Sequence, residues 1–200
     1  MKDYTVLKGD TLTSIAKKYS VPIGQICEVN CIKDINKIYA GQKLKIPEKN
    51  VTGIGTITKT SEFGRNFIKN FENLKLEAYQ CPSGVWTIGW GHTKGVKEGD
   101  KITKAQAEEL FNKDISIAEK AVNKYQKTYN FNKNQYDALV SFALNIGNID
   151  ELTSNGSRSI DMIRKKIPEY NKGRDKNNNK VILPGLVNRR KDELQLFNKK

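Results

Sequence analysis

The sequence predicts an α+β protein, a small β-α-α-β module followed by a mainly helical domain with a small antiparallel β lobe. Three observations predict it. Residues 3–47 hold two strand signals flanking two short helical patterns. From Ser61 onward, apolar residues recur at helical spacing through most of the chain. Residues 78–100 interrupt that period; they are Gly-rich and contain the aromatic and β-branched run Val85-Trp86-Thr87-Ile88-Gly89-Trp90-Gly91-His92, which reads as turn and strand.

Tyr4-Thr5-Val6 is the first strand signal. Gly9-Asp10 turns the chain, and Asp10 or Thr11 caps a helix in which Leu12, Ile15, Ala16 and Tyr19 share a face. Val21-Pro22 opens a second helix with Ile23, Ile26 and Cys27 on its apolar side. Ala40-Gly41-Gln42 turns into the strand Lys43-Leu44-Lys45-Ile46, which Pro47 ends. Residues 49–60 contain two Gly and four Thr with no helical period, and read as a linker between residues 1–48 and 61–200. Phe63, Phe67, Ile68 and Phe71 then share one helical face, which places Glu72 at the end of that helix. Thr103 and Gln106 form a capping-box signal for a long amphipathic helix through Ala107, Phe111, Ala118, Val122 and Tyr125. Another helix runs through Tyr136, Leu139, Phe142 and Ile146, with Gly147 as its C-terminal cap. A shorter one runs from Ser159 to Ile167 and stops at Pro168. Residues 173–180 read as an exposed polar loop, and the last helix spans about Leu186 to Phe197.

The formal net charge is +13, with +4 in residues 1–50 and +9 in the remainder, so both parts are attracted to polyanions. No helix-turn-helix, zinc-finger or aromatic nucleic-acid signature is present, so nucleic acid is not the expected partner. Bacterial walls, with teichoic acids and peptide carboxylates, are the other common polyanion. No apolar run approaches the ~18 residues of a membrane span, and the first ten residues hold no signal-peptide core, so stable membrane insertion is not expected and synthesis begins in the cytoplasm. Cys27, Cys31 and Cys81 do not make a secreted disulfide framework. His92 is the sole histidine and no Cys/His cluster has zinc spacing, so neither metal nor cofactor is expected.

The chemistry concentrates in Glu72-x8-Cys81-x5-Thr87. Helix end, turn and strand allow an acid to face a second polar group across a cleft. Glycoside hydrolysis needs an acid for the leaving oxygen and a group opposite for the anomeric carbon or its water. The segment resembles the phage-type lysozymes, glycoside hydrolase family 24, whose pattern is Glu, eight residues, Asp or Cys, five residues, Thr. The resemblance continues through Gly89-Trp90-Gly91-His92-Thr93, Ser141–Gly147 and Leu183–Arg190. It implies a bilobal lysozyme-like fold over residues 61–200. It also implies that Glu72 donates the proton, that Thr87 orients water or supports the glycan, and that Arg189 or Arg190 orients Glu72 or contacts substrate. As an acid Glu72 has to hold a proton near neutral pH, which calls for apolar surroundings. Cys81 stands where the family has Asp or Cys. A core residue, a disulfide partner and a decayed Asp are its bland readings; a thiolate charge, a base for water and a nucleophile are the functional ones, and the sequence leaves them open. Trp86 and Trp90 are candidates for sugar stacking, with one of them in the core. His92 reads as a structural, salt-bridged residue. Cys27 and Cys31 read as small apolar fillers, since a disulfide at that spacing strains a helix.

Residues 1–48 resemble a LysM module through Tyr4-Thr5-Val6, Gly9-Asp10-Thr11-Leu12, Ile15-Ala16, Asn30, Ile38 and Ala40–Pro47. That resemblance implies binding of N-acetylglucosamine-containing glycan between the first strand–helix loop and the second helix–strand loop, with Gly9, Asp10, Thr11 and Ile38 in contact. Together the resemblances imply a monomeric endolysin, a lysozyme (N-acetylmuramidase) held on bacterial peptidoglycan by its first module. It would wait in the host cytoplasm before lysis. Two rivals stand beside it. A lytic transglycosylase needs only the acid and uses the substrate's own hydroxyl, which leaves Thr87 without a task. A wall-binding protein with a dead lysozyme domain needs none of the three.

Overall fold

The computed structural model describes residues 1–21, 23–32, 34–47, 57–81, 84–174 and 179–199. Two separate apolar cores organise them. The first unit comprises β1 (Lys2–Thr5), α1 (Leu12–Tyr19), α2 (Ile23–Val29) and β2 (Lys43–Ile46). Thr11 caps α1 in a reciprocal box with Ser14, and Ser20 closes it in the left-handed conformation. β1 and β2 pair antiparallel with Tyr4 opposite Leu44. The alternation of β2 buries Leu44 and Ile46 against Leu12, Ile15 and Ile26. Asn30 acts as a strand partner for β2: its amide donates to the Lys45 carbonyl and accepts from the Lys45 N–H, both at 2.7 Å.

The second unit opens with α3 (Glu62–Lys69), capped by Ser61. β3 (Lys75–Gln80) and β4 (Trp86–Gly89) form an antiparallel hairpin with a register shift between Lys75 and Tyr79. The helices α4 (Lys104–Tyr129), α5 (Lys133–Ile146), α6 (Asp150–Thr153) and α7 (Ile160–Lys166) follow, and a 3-10 turn covers Ile167–Glu169. β5 (Lys172–Arg174) pairs with β6 (Lys180–Ile182), and α8 (Pro184–Phe197) ends the fold. α5 is buried around its whole circumference from Tyr136 to Ala143, with Leu139, Val140 and Phe142 among its apolar side chains, so it is the central helix, and α3, α4 and α8 pack against it. Each such side chain contributes roughly 1.5–3 kcal/mol by leaving water. Gly64 lets α3 approach α5 closely: a Cβ there would lie within 2.4 Å of the Asp137 carboxyl carbon. That carboxylate accepts from the Ser61 N–H and hydroxyl, which fixes the start of α3.

The structure departs from the sequence reading at four places. α3 ends at Lys69 and Asn70 caps it, so Glu72 sits in the following turn, its N–H bonded to the Lys69 carbonyl. Residues 173–180 are not wholly loop; the segment contributes to the β5–β6 hairpin, with Gly173 lying against the Leu183 side chain, while residues 175–178 lie outside the described residues. α8 begins two residues early because Pro184 suits the first helical turn. Residues 57–60, expected in the linker, dock on α4. Thr60 donates N–H and hydroxyl to buried Glu119, Lys59 pairs with the same carboxylate, and the Thr58 carbonyl accepts from Asn123. The rest of the expected linker, residues 49–56, lies outside the described residues.

The two units touch. α2 meets the C-terminal end of α4, with Gly24 close against the Tyr129 carbonyl, and Asp34 bridges Arg158 through the backbone. Among the described residues no helix is long and apolar enough to cross a membrane, and no group of three His, Cys, Asp or Glu side chains could hold a metal ion.

Candidate active site

Glu72 lies where α3 gives way to the β3–β4 hairpin. Its Oε1 accepts from Arg189 Nη1 at 2.9 Å, and its Oε2 faces Gly91, where a Cβ would stand only 3.1 Å away. The carboxylate is a quarter exposed. Its surroundings are therefore not the apolar pocket the sequence reading called for; a cation holds one oxygen and a bare glycine leaves room at the other. Gly91 reaches this place through a pinched loop. Ile88 and His92 exchange both backbone hydrogen bonds at 2.9 Å, and Gly89 and Gly91 adopt φ of +65° and +85° to close the turn between them.

Cys81 ends β3. Its N–H donates to the Val85 carbonyl at 3.0 Å and its carbonyl accepts from Gly84, so it is the first residue of a tight turn, half-buried and outside any disulfide. The Thr87 hydroxyl donates to the same Val85 carbonyl at 3.0 Å. One backbone oxygen thus ties the two residues together. Thr87 is buried; with its proton committed to Val85, its oxygen is left to accept. Directly across the hairpin from Thr87 stands Tyr79, half-exposed. Burial, together with the nearby charges of Glu72 and Cys81, raises the Tyr79 phenol above its ordinary range. Tyr79 therefore shares one neighbourhood with both.

Arg189 and Arg190 are separated by the structure. Arg189 points at Glu72, lies over the Phe71 ring, and also donates to Glu193 and to the Ser141 carbonyl. Arg190 is 1 % exposed, packed over Phe142 and paired with Glu193, so it presents no surface to a glycan, and its assignment as a substrate contact is corrected. A helix turns about 100° per residue, so adjacent arginines cannot share a face. The supporting Glu193 and Ser141 were not among the predicted site residues. The signal for Glu193 was the four-residue helical spacing from Arg189; Tyr79 had none.

His92 is 12 % exposed in its side chain and bonds Asp114 through Nδ1 and the Lys94 carbonyl through Nε2, the structural role expected of it. Trp90 packs on Phe111 with Lys69 over its ring, which makes it the core member of the tryptophan pair, whereas Trp86 is half-buried on β4. In the first unit, the Asp10 carboxylate accepts from the Tyr4 hydroxyl and the Leu7 N–H, and these bonds lower it below the usual carboxylate range. The Thr11 hydroxyl is occupied as a helix cap. Both side chains hold the loop in shape. Gly9 is open, Ile38 packs on the core, and backbone bonds between Val6 and Gly41-Gln42 set the two loops side by side. Leu7 and Tyr39 stand exposed on those loops and were not predicted.

Two families of known proteins match separate parts of the chain. The phage lysozyme family matches residues 69–193, and the LysM domain family matches residues 4–47. The endolysin of Acyrthosiphon pisum secondary endosymbiont phage 1 is 37 % identical over 142 residues, 68 % of this chain and 96 % of that protein. The endolysin of Lactococcus phage c2 is 39 % identical over 149 residues, 70 % of this chain and 61 % of that longer protein. Among solved structures, the endolysin from Escherichia coli O157:H7 phage FAHEc1 superimposes with a TM-score of 0.62 at 35 % identity, covering 70 % of this chain and 93 % of that one. The muramidase domain of SpmX from Asticaccaulis excentricus gives 0.58 at 32 %, covering 71 % and 99 %. With more than half its length matched by one family, and a LysM domain ahead of that match, the chain belongs to the phage lysozyme family.

Proposed function

We propose that this chain is an endolysin with muramidase activity, hydrolysing the β-1,4 bond between N-acetylmuramic acid and N-acetylglucosamine in bacterial peptidoglycan. The observation that carries the reading is the Glu72 carboxylate, clasped on one oxygen by Arg189 and open on the other toward Gly91. Glu72 Oε2 gives its proton to the glycosidic oxygen, and the C–O bond breaks with the electron pair leaving on that oxygen. Cys81 and Thr87, joined through Val85, handle the anomeric side. Thr87 oxygen accepts one hydrogen of a water, whose lone pair attacks the anomeric carbon; Cys81 as thiolate stabilises the oxocarbenium charge or takes the water's proton. This route inverts the anomer. Residues 1–48 serve as the peptidoglycan anchor, with Gly9 and Ile38 at its glycan groove, residues 49–60 as the connection, and residues 61–200 as the catalytic unit with Trp86 at the sugar. The enzyme collects in the host cytoplasm and reaches the wall at lysis.

Digestion of purified peptidoglycan by the wild type and by Glu72→Gln, with mass spectrometry of the products, tests the reading. Reducing-end muropeptides from the wild type, and a loss of about 10²–10⁴-fold in the variant, are expected, the range general acid catalysis supplies. Anhydro-muropeptides would mean transglycosylation. No released product would mean a wall-binding protein, and a variant within a few-fold of wild type would remove Glu72 from its role.

A further inference from the structure

The reaction uses Glu72 and Arg189, yet a buried cluster of charge lies one layer behind them. Glu193 is completely buried between α8 and α5. Its Oε1 accepts from Arg189 Nε at 3.2 Å, from Arg190 Nη2 at 2.9 Å and from the Ser141 hydroxyl at 2.7 Å. Its Oε2 stands 2.7 Å from Arg190 Nε, an ion pair whose alignment falls short of a hydrogen bond. Arg189 Nη1 then reaches Glu72. The chain of contacts runs Arg190, Glu193, Arg189, Glu72, alternating in sign.

We infer that Glu193 is a positioning residue for the acid, orienting Arg189 toward Glu72 and offsetting the two arginine charges that stand behind it. The inference rests on the reading of Glu72 as the proton donor. Orientation follows from geometry. Arg189 is gripped at Nε by Glu193 and at Nη2 by the Ser141 carbonyl, with Phe71 against its plane, which leaves Nη1 aimed at Glu72. Electrostatics follows from counting. Burial raises the Glu193 carboxyl above its ordinary range, while Arg190, Arg189 and the Ser141 hydroxyl favour its charge; in the ionised form it brings the three charges beside Glu72 to a sum of +1. Without the Glu193 charge they sum to +2, and added positive charge disfavours a proton on any neighbouring acid. Without Arg190 they sum to zero, which favours the proton. From the hairpin, Tyr79 is a further titratable group near Glu72. Against Glu193, α8 supplies the two arginines and α5 supplies neutral Ser141. The arrangement explains why a buried carboxylate is kept between two arginines when an apolar trio of equal volume would cost less desolvation.

The test is the pH dependence of kcat/KM on purified peptidoglycan for the full chain, Glu193→Gln, Arg190→Met and the double variant. Loss of the acid's proton sets the alkaline limb of that profile. A unit charge removed at this range in a partly buried site moves the limb by about one pH unit. Glu193→Gln should move it to lower pH, Arg190→Met to higher pH, and the double variant should return it close to the wild-type position. A purely structural role would lower activity in both single variants without moving the limb in opposite directions. Shifts of the same sign, or no shift in folded protein, would overturn the inference. If Glu193→Gln fails to fold, by circular dichroism, Arg190→Met alone decides, and an unmoved or lowered limb there counts against it. Glu72→Gln assayed in parallel separates the two readings: full activity in that variant defeats the acid assignment itself.

Discussion

Substituting Gly91 by alanine separates backbone strain from interference with the acid, because Gly89, two positions away in the same pinch, provides a matched control. Both glycines have positive φ, +65° at Gly89 and +85° at Gly91, so alanine at either costs about 1–2 kcal/mol of left-handed strain. For a chain of this size each kcal/mol lowers the melting temperature by about 2–4 °C, so both variants should melt roughly 2–8 °C below wild type. Their surroundings differ. The new Cβ at Gly89 would meet the Ala107 methyl at 3.5 Å, an ordinary contact, whereas at Gly91 it would stand 3.1 Å from Glu72 Oε2. There the carboxylate must give way by a few tenths of an ångström, and a methyl occupies the space from which the glycosidic oxygen would reach the proton. A misplacement of about 1 Å at a catalytic group costs on the order of 10²-fold, so Gly91→Ala should lose about 10- to 100-fold in kcat and Gly89→Ala only a few-fold. The assay is clearing of purified peptidoglycan at 25 °C, with circular dichroism melts to show that both variants are folded. Equal activity losses in two folded variants would refute the claim that Gly91 exists to leave room at Glu72.

Cys81→Ala should lower activity by about 10²-fold or more while Cys81→Asp retains a substantial part, since a thiolate and an aspartate can each present negative charge to the cleft; a fully active alanine variant would reduce Cys81 to a turn residue. Burial pushes the Cys27 thiol up to about 11, so at pH 8.5 it carries little thiolate; iodoacetamide should label Cys31 and Cys81 in the native chain, inactivate it through Cys81, and spare Cys27, a pattern peptide mass mapping can contradict. A chain starting at Ile57 should stay folded and active with weaker wall binding. One starting at Ser61 strands the buried Glu119 carboxylate without Lys59 and Thr60, and should be about 1–3 kcal/mol less stable in urea titration; equal stabilities would mean the Glu119 contacts contribute nothing.

Elements with a strong period were legible from sequence alone. The Thr103 capping box and the apolar stripe behind it marked α4 because local hydrogen bonding and burial point the same way there. α6, four residues long, carries less than two turns and offers no period to detect. The hairpin after Tyr170 was hidden because Lys, Arg and Asn side chains read as loop, while pairing is decided by backbone bonds and by Leu183 closing over Gly173. At the candidate site, the spacing of Glu72, Cys81 and Thr87 was visible, but the partner of each was not. Arg189 meets Glu72 across 117 residues, and the shared Val85 carbonyl is a feature of the turn's path. Asp10 and Thr11 illustrate the converse. They fit a binding motif, yet their side-chain atoms are spent on the loop itself, so the motif records a fold requirement at least as much as a contact.

The docking of Ile57–Thr60 onto Glu119 also fixes a tether length. The chain from Pro47 to Ile57 makes ten Cα steps, which cannot span more than about 36 Å. Once the LysM unit has grasped a glycan strand, the unit that touches it is held at the wall as well, and its next encounter with substrate is intramolecular. Modules joined over so short a stretch of chain reach effective concentrations on the order of millimolar. A carboxylate buried on α4, far in sequence from either sugar-handling loop, therefore governs how densely cuts are placed around each point of attachment.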